Sequence, residues 1–241
     1  MSDAPDRSAP RISAMFDAIA PRYDFLNHLL SGGIDHLWRK RAVRSLELTG
    51  RELVLDLCSG TGDLAIEALT ATPGAARVLG VDFSGVMLTL GVEKLRRRRL
   101  DREIVLARGD AMTLPVASSS VDAVTIGFGI RNVEDREAAC REILRVLKPG
   151  GRLAILEFAM PTTPWFRFVY LSYFRHVLPR VGRWVSGHAA AYEYLPASVD
   201  AFEPEEFMNL LRKSGFAEVA ADPLTFSSVF LYTARAPSPH S

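Results

Sequence analysis

The sequence has little that would suit a secreted or membrane-spanning protein. It contains only two cysteines, Cys58 and Cys140, far apart in the chain. Two isolated thiols fit a reducing compartment better than a disulfide framework. No apolar run reaches the roughly 18 residues that a transmembrane helix needs, and residues 1–10 lack the apolar stretch of a signal peptide. We therefore expect a cytoplasmic protein, and leave open a peripheral contact at the inner face of the membrane.

A strong excess of either charge is also missing. The formal net charge is +1, whereas proteins that mainly grip nucleic acid usually carry a strongly basic face. The five histidines show no metal-ligand spacing. We therefore expect neither a nucleic-acid partner nor a bound metal.

The middle of the chain alternates strand and helix patterns. Strand patterns lie at 52–57, 77–82, 103–108, 121–127 and 152–158, and the clearest helix patterns between them lie at 63–70, 84–98 and 135–147. This alternation predicts a doubly wound, mostly parallel sheet with helices on both faces. A helix at 204–214 and strands at 216–222 and 227–233 follow, and the short link between those strands requires an antiparallel hairpin. The expected fold is α/β, with seven strands of which the last is antiparallel.

One domain is expected over residues 11–235, with two additions to the sheet. Residues 11–48 have a helical pattern and would form an N-terminal cap. Residues 159–202 are too long for a plain connection and rich in aromatics, so we interpret them as a helical insertion on the substrate side. The Pro- and Ser-rich ends, 1–10 and 236–241, are predicted to be disordered tails.

A glycine-rich turn, Cys58 to Gly62, joins the first strand to its helix. Its glycines let a ligand approach the backbone, and the helix start offers free N–H groups, so the turn can hold the amino-acid end of a cofactor. The spacing Gly60-x-Gly62-x-x-Ala65 also fits a dinucleotide site, with Asp82 about 20 residues further on. The turn alone therefore leaves a nicotinamide-dependent oxidoreductase as an alternative to a methyltransferase.

A second motif favours the methyltransferase. The segment Arg108-Gly109-Asp110-Ala111-Met112-x-Leu114-Pro115 resembles a motif of class I S-adenosylmethionine-dependent methyltransferases, which fold as Rossmann-like sheets. Asp56, four residues before the first glycine, also resembles an acid that these enzymes place near the cofactor. The resemblance implies cofactor contacts at Gly60, Thr61, Asp82, Asp110 and Ala111.

The resemblance also implies a role for three of these residues. Asp82 would take the ribose hydroxyls, because a carboxylate only accepts hydrogen bonds and can serve two donors at once. Asp110 would accept from the adenine amino group, and the N–H of Ala111 would meet a ring nitrogen.

Two longer stretches are similar to one family within this class. The first runs from Met15 to Arg39 and includes Tyr23-Asp24, and the second is Phe128-Gly129-Ile130-Arg131-Asn132-Val133. Both resemble the menaquinone and ubiquinone biosynthesis C-methyltransferase family. The resemblance implies S-adenosyl-L-methionine as cofactor and a lipophilic quinol as partner. Methyl transfer to a ring carbon of demethylmenaquinol is the first expectation, and the ubiquinone-pathway benzoquinol is the second.

Such a reaction needs an ionised ring hydroxyl, and a phenol has a pKa of about 10. Arg131 is our first candidate to stabilise the phenolate or to orient a water, and Asn132 would hydrogen-bond a ring oxygen. Tyr23 would close the cofactor pocket. The alternatives are a surface ion pair of Arg131 with Glu134 or Asp135, and core packing of Tyr23.

Three further points stay open in the sequence. The aromatic and arginine side chains of 164–176 suit either a membrane interface or an aromatic core under a lid. The basic run 94–99 suits a solvated helix end. Another small phenol or lipid could replace the quinol as acceptor, and a homodimer is a further expectation.

Overall fold

A seven-stranded sheet forms the centre of the molecule. The structure is a computed structural model that describes residues 8–22, 24, 28, 31–71, 77–173, 176 and 189–238. The strands are β1 (Leu53–Leu57), β2 (Arg77–Asp82), β3 (Ile104–Arg108), β4 (Val121–Gly127), β5 (Leu147–Phe158), β6 (Ala217–Leu224) and β7 (Val229–Arg235). They are ordered β3-β2-β1-β4-β5-β7-β6 across the sheet.

The sheet is parallel except at its last strand. β1 pairs in parallel with both β2 and β4, while β7 runs antiparallel to β5 and β6. The predicted mostly parallel sheet with an antiparallel last strand is therefore confirmed. The strand order reverses between β1 and β4, and ligands of open α/β sheets bind outside the carboxyl ends of the strands at such a point.

Eight α-helices surround the sheet in the described part of the chain. They are α1 (Ala9–Ile19), α2 (Asp35–Ser45), α3 (Asp63–Thr70), α4 (Gly85–Arg98), α5 (Arg136–Val146), α6 (Pro164–Ser172), α7 (Ala189–Asp200) and α8 (Pro204–Lys213). Short 3-10 turns occupy Ala20–Arg22 and Ile130–Asn132. The hydroxyl of Ser84 begins α4 by accepting the N–H of Met87, and Asp135 begins α5 by accepting that of Ala138.

Each face of the sheet has its own hydrophobic core. Leu55 and Leu57 of β1 point to one face, beneath α5 and α8, whereas Val54 points to the other, beneath α2 and α3. Successive side chains of a strand alternate between faces, so a strand covered on both sides must be apolar throughout. That requirement explains why β1 and β4 are mostly hydrophobic, with Asp56 and Thr125 as buried polar exceptions.

Three predicted boundaries are corrected. α1 begins at Ala9, inside the predicted N-terminal tail, and Ala236 is buried with backbone bonds to Gly150 and Gly151. Residues 1–7 and 239–241 of the predicted tails lie outside the described residues. β5 begins at Leu147, which the sequence assigned to a helix, because Leu147 already pairs with Val121 ahead of a bulge.

Two helices are described within the predicted insertion. α6 and α7 lie within 159–202, while residues 174–175 and 177–188 are outside the described part of the chain. No helix among the described residues is long and apolar enough to cross a membrane.

Candidate functional site

A cavity opens at the carboxyl ends of β1, β2 and β4. It encloses about 830 Å³, including the space at its mouth, and ligand pockets usually span roughly 300–1,000 Å³. The turn after β1 supplies Cys58 and Gly60 to the lining, and β2 ends in Asp82. Asp110 and Ala111 follow β3, and Asn132 follows β4. Four of the five predicted cofactor contacts therefore lie in one cavity.

The turn after β1 exposes its backbone to this cavity. Gly60 has a φ of +54°, and a Cβ added there would meet no atom within 4 Å. Cys58 and Phe128 also have left-handed φ values of 55° and 60°, which are rare for residues other than glycine. A Cβ on Gly129 would overlap Cys58, lying 3.0 Å from its Sγ, so the two turns meet because this residue is glycine.

Asp82 is held in place by backbone N–H groups. Its Oδ2 accepts from Gly60 at 2.7 Å and its Oδ1 from Ser84 at 2.8 Å. Burial raises the pKa of this carboxyl above its usual range. A carboxylate has about four acceptor positions, so the two N–H groups leave room for the two ribose hydroxyls of a nucleoside.

Asp110 and Ala111 form the part of the lining that follows β3. The Oδ1 of Asp110 accepts the N–H of Met112 at 2.8 Å, which fixes the carboxylate in a tight turn. Ala111 is buried and lines the same wall. This wall thus offers the fixed carboxylate of Asp110 as an acceptor beside the backbone of Ala111. The edge of an adenine ring needs such an acceptor for its amino group and a backbone N–H for its ring nitrogen. Together with the open backbone at Gly60 and the acceptor pair of Asp82, these groups fit S-adenosylmethionine.

Asp56 and Thr61 serve the fold instead of lining the cavity. Asp56 is buried, and its carboxyl accepts from the hydroxyl of Thr125 at 2.7 Å and the N–H of Ala65 at 3.1 Å. Burial raises its pKa to about 7. The hydroxyl of Thr61 donates to Asp24 at 2.6 Å. Asp56 therefore joins β1, β4 and the first turn of α3, and the Thr61 hydroxyl belongs to a contact with the N-terminal cap.

That contact is a charged cluster centred on Lys94. Its Nζ lies 2.5 Å from Asp24, 2.8 Å from Asp63 and 2.9 Å from the hydroxyl of Thr61. The side chain is only 15% exposed, so the prediction of a solvated basic helix end is wrong at Lys94. The cluster fastens the cap to the glycine-rich turn.

The first helix of the cap forms one wall of the cavity. Ile12, Ser13 and Phe16 of α1 belong to the lining. The hydroxyl of Ser84, which begins α4, donates to Asp17 of α1. The cap thus reaches the cavity by its own side chains and is bonded to the loop that carries Asp82.

Arg131 does not form the surface ion pair that the sequence left open. It is buried beside the cavity without being one of the lining residues, and its Nη1 lies 2.6 Å from Glu157. It also donates to the carbonyl of Phe128 at 2.6 Å and lies over the ring of Phe158. Neither Glu134 nor Asp135 is its ion-pair partner. Sequence reasoning missed Glu157, although an acid inside the apolar strand 152–158 was a signal for a buried partner.

Asn132 connects the cavity to the insertion. Its side chain lines the cavity, and its Oδ1 accepts from the hydroxyl of Tyr194 in α7 at 3.1 Å. This bond places a residue of the insertion beside the carboxyl end of β4. The third predicted catalytic residue, Tyr23, lies outside the described residues. No group of three metal-binding side chains occurs in the part of the chain that is described.

The fold and the cavity together define a class I S-adenosylmethionine-dependent methyltransferase. When bound, S-adenosyl-L-methionine supplies a methyl group on a positively charged sulfur, which is a strong electrophile. The chain belongs to the ubiE/COQ5 methyltransferase family, whose model matches residues 5–235.

Two curated relatives illustrate the similarity. The ubiquinone/menaquinone biosynthesis C-methyltransferase UbiE of Syntrophotalea carbinolica is 49% identical over 220 residues, which cover 91% of either chain. The demethylmenaquinone methyltransferase of Thermus thermophilus is 45% identical, covering 92% of this chain and 100% of its own. The resemblance found in the sequence is therefore confirmed.

Two solved structures share the fold. The cyclase SpnF has a TM-score of 0.73 at 20% identity and covers 98% of both chains. A methyltransferase from Aquifex aeolicus that depends on S-adenosylmethionine has a TM-score of 0.60 at 16% identity, covering 82% of this chain and 89% of its own. At these identities the likeness concerns the fold alone, because one fold carries different activities.

Proposed function

We propose that this chain methylates a ring carbon of a polyprenylated hydroquinone. Demethylmenaquinol is the first acceptor to test, and the ubiquinone-pathway benzoquinol is the second. The proposal is supported by the names of the relatives from Syntrophotalea carbinolica and Thermus thermophilus. The structural support for the proposal is the hydrogen bond between Asn132 and Tyr194, because it brings a polar side chain of the insertion to the edge of the cavity.

The amide of Asn132 would orient the ring. Its Oδ1 accepts from Tyr194 and its Nδ2 donates to the carbonyl of Phe128 at 3.5 Å, so the second N–H of the amide would remain to donate to one ring oxygen. A donated hydrogen bond favours the ionised form of a phenol over the neutral form. The phenol proton would leave to water at the cavity mouth, and the electron density gained by the ring would make the ortho carbon nucleophilic.

Arg131 would act through Asn132 as a positioning residue. Its backbone N–H and its guanidinium both donate to Glu157, which fixes the 3-10 turn Ile130–Asn132 against the end of β5. The role of Tyr23 as a closing residue of the cofactor pocket stays a prediction, as do cofactor contacts at Gly60, Thr61, Asp82, Asp110 and Ala111. A cytoplasmic location, a peripheral membrane contact and a homodimer are likewise proposals.

A methyl-transfer assay tests the acceptor. Purified chain and labelled S-adenosylmethionine are offered reduced demethylmenaquinone and, separately, the reduced demethylated ubiquinone precursor, with mass spectrometry of the product. A new methyl group on a ring carbon supports the proposal and selects the acceptor. If neither quinol is methylated while the cofactor still binds, the quinol is the wrong acceptor, and other small phenols and lipids are the second candidates.

A variant pair tests the role of Asn132. Asn132→Ala should lower kcat by about tenfold or more, since general positioning and polarising effects of one group reach that size. Its affinity for the cofactor should change much less. Asn209→Ala is the matched control, because Asn209 lies on α8 outside the cavity lining and its side chain accepts from the exposed Arg212. Equal turnover by both variants would remove Asn132 from the mechanism.

A further inference from the structure

An exposed apolar face lies on α6 and the turn between β6 and β7. We call it the α6 face and define it by Trp165, Phe168, Val169 and Phe226. Trp165 is 59% and Phe168 74% exposed. None of the nine residues of α6, all described, is buried. Large exposed apolar groups that cluster usually mark an interaction surface.

The turn between β6 and β7 exposes the ring of Phe226 and has an unfavourable backbone conformation. Thr225, Phe226 and Ser227 all have left-handed φ values, of 44°, 55° and 65°, which is unfavourable for each residue with a Cβ. The turn keeps this shape because Trp38 donates to the hydroxyl of Thr225 at 2.9 Å. Strain of this kind is retained where the surrounding structure fixes it, often at a functional surface.

Ring contacts join the turn to the helix. The ring of Phe226 lies 5.2 Å from that of Trp165 and 4.9 Å from that of Phe166. The two elements, which are far apart in the sequence, therefore present one continuous aromatic surface.

The helix that carries this face has a positive charge and no negative one. From Pro164 to Ser172 the sequence contains Arg167 and no Asp or Glu. Arg167 is exposed on α6 itself. The exposed acid of the adjoining strand, Asp222, is paired with Arg41 at 3.6 Å. Aromatic rings beside an exposed cation match an anionic bilayer, whose headgroups attract the cation while the rings enter the interface.

The α6 face lies at the same edge of the sheet as the cavity. Phe158, the last residue of β5, pairs with Val229, and so does Leu224, the last residue of β6. The turn between β6 and β7 therefore lies at the same edge of the sheet as the carboxyl ends of the parallel strands. The ring of Phe158 also stacks 4.3 Å from that of Phe128, which lines the cavity.

We propose that the α6 face binds the surface of an anionic lipid bilayer. Trp165, Phe168 and Phe226 insert at the depth of the headgroups, and Arg167 contacts the lipid phosphates. The cavity edge then faces the membrane, so a lipophilic acceptor could reach it without crossing water. Only the access of the acceptor to the cavity rests on the proposed function, because binding to a bilayer can be measured with no acceptor present.

Vesicle flotation with the full chain tests this proposal. Vesicles of phosphatidylcholine mixed with phosphatidylglycerol are compared with vesicles of phosphatidylcholine alone. Phe168→Ser with Phe226→Ser should lower the partition onto the mixed vesicles by at least about tenfold, since one buried aromatic side chain is worth that much. Val105→Ser is the matched control, because Val105 is 57% exposed but lies on β3 at the opposite edge of the sheet.

The charge of the face is tested separately. Arg167→Glu should weaken binding to the mixed vesicles by roughly fivefold or more, and the loss should shrink at high salt. Trp165→Phe should keep the binding and remove the part of the tryptophan emission that brominated lipids quench. All variants should bind S-adenosylmethionine as the unmodified chain does, which shows that they are folded.

Three outcomes would overturn the proposal. They are no flotation of the unmodified chain with mixed vesicles, equal loss in the Val105→Ser control, and an unchanged partition of the double variant. A concentration-dependent dimer that Phe168→Ser abolishes, without vesicle binding, would assign the face to a second copy instead. Vesicle binding without quinol methylation would keep this proposal while the proposed acceptor fails.

Discussion

Arg131 and Glu157 form a buried ion pair in which Nη1 and Oε1 are 2.6 Å apart. The carboxylate also accepts the backbone N–H groups of Arg131 at 3.0 Å and Phe158 at 2.9 Å. One acid at the end of β5 thereby holds the turn that carries Asn132 into the cavity.

Loss of that acid should be costly. Glu157→Ala would leave the Arg131 guanidinium buried without its carboxylate, and breaking a buried pair usually destabilises a protein by about 3–5 kcal/mol. Urea unfolding measures the change. Glu137→Ala is the control, since Glu137 pairs with Arg141 at the surface, where such pairs contribute at most about 1 kcal/mol. Similar losses in both variants would contradict the structural role of Glu157.

Asp82→Asn should weaken cofactor binding by about tenfold or more, because hydrogen bonds to a charged group contribute roughly 1.5–3 kcal/mol. The amide would also turn an NH2 group toward the N–H of Gly60 or Ser84, which the carboxylate now accepts. Titration calorimetry with S-adenosylmethionine measures the affinity. Asp222→Asn, at an exposed strand position, should bind as the unmodified chain does, and an equal affinity of the two variants would exclude Asp82 from the site.

Gly129→Ala should disturb the meeting of the two turns beside the cavity. The new Cβ would overlap Cys58, and overpacking of this kind costs about 1–3 kcal/mol. Adding Cys58→Gly should restore much of the stability, since it removes the clash and relieves the left-handed φ of Cys58. Gly85→Ala, where the nearest atom is 3.9 Å away, should be tolerated. Thermal unfolding compares the four proteins, and no rescue by Cys58→Gly would rule out this clash.

Lys94→Met should loosen the N-terminal cap. The change leaves Asp24 and Asp63 without the cation that joins them, so α1 should detach more often from the cavity. Limited proteolysis and hydrogen exchange of α1 should both become faster, and cofactor should dissociate faster. Arg97→Met is the control, because Arg97 is exposed and donates to the carbonyl of Glu93 in its own helix. Unchanged exchange in α1 would mean that other contacts hold the cap.

Asp56 should make stability depend on pH. Burial raises the pKa of its carboxyl from 3.8 to about 7 in the folded chain, so between these values the folded state holds a proton that the unfolded state has lost. The free energy of unfolding should therefore fall as pH rises through this window, by roughly 2–4 kcal/mol.

Asp56→Asn should flatten that profile. Its amide can still accept the N–H of Ala65 and can donate to the hydroxyl of Thr125, so both present partners are satisfied. Denaturation at a series of pH values measures the slope, with Asp222→Asn at an exposed strand position as a comparison. A slope unchanged in Asp56→Asn would assign the effect to another group, of which buried Asp82 is the first.

Patterns along the chain were sufficient to predict the sheet and most of the residues expected to contact the cofactor. The runs at 53–57 and 121–127 are mostly apolar because both faces are covered, and Asp82 ends a strand while Gly60 and Asp110 each follow one. Residues that end parallel strands converge at one edge whatever the details of packing. That rule needs only the order of the elements.

The direction of single side chains could not be obtained in the same way. Arg131 and Glu157 are 26 positions apart on neighbouring strand ends, and only the packed 3-10 turn decides that the guanidinium points at β5. Lys94 opens a run of cations whose other members are exposed. Its burial depends on the cap folding back, with Asp24 brought to it from 70 positions away in sequence.

Both ends of the insertion are attached to the sheet rather than to each other. Ala159 donates its N–H to Ser228 at 3.1 Å, and Phe202 is buried against Phe207 and Tyr232. Everything between these two anchors can change in length and composition without altering a strand pair. If the insertion binds the acceptor as proposed, the acceptor side is a replaceable module on a fixed cofactor platform. Exchanging 160–201 with the same segment of a relative should alter the preferred acceptor and leave cofactor affinity as it was.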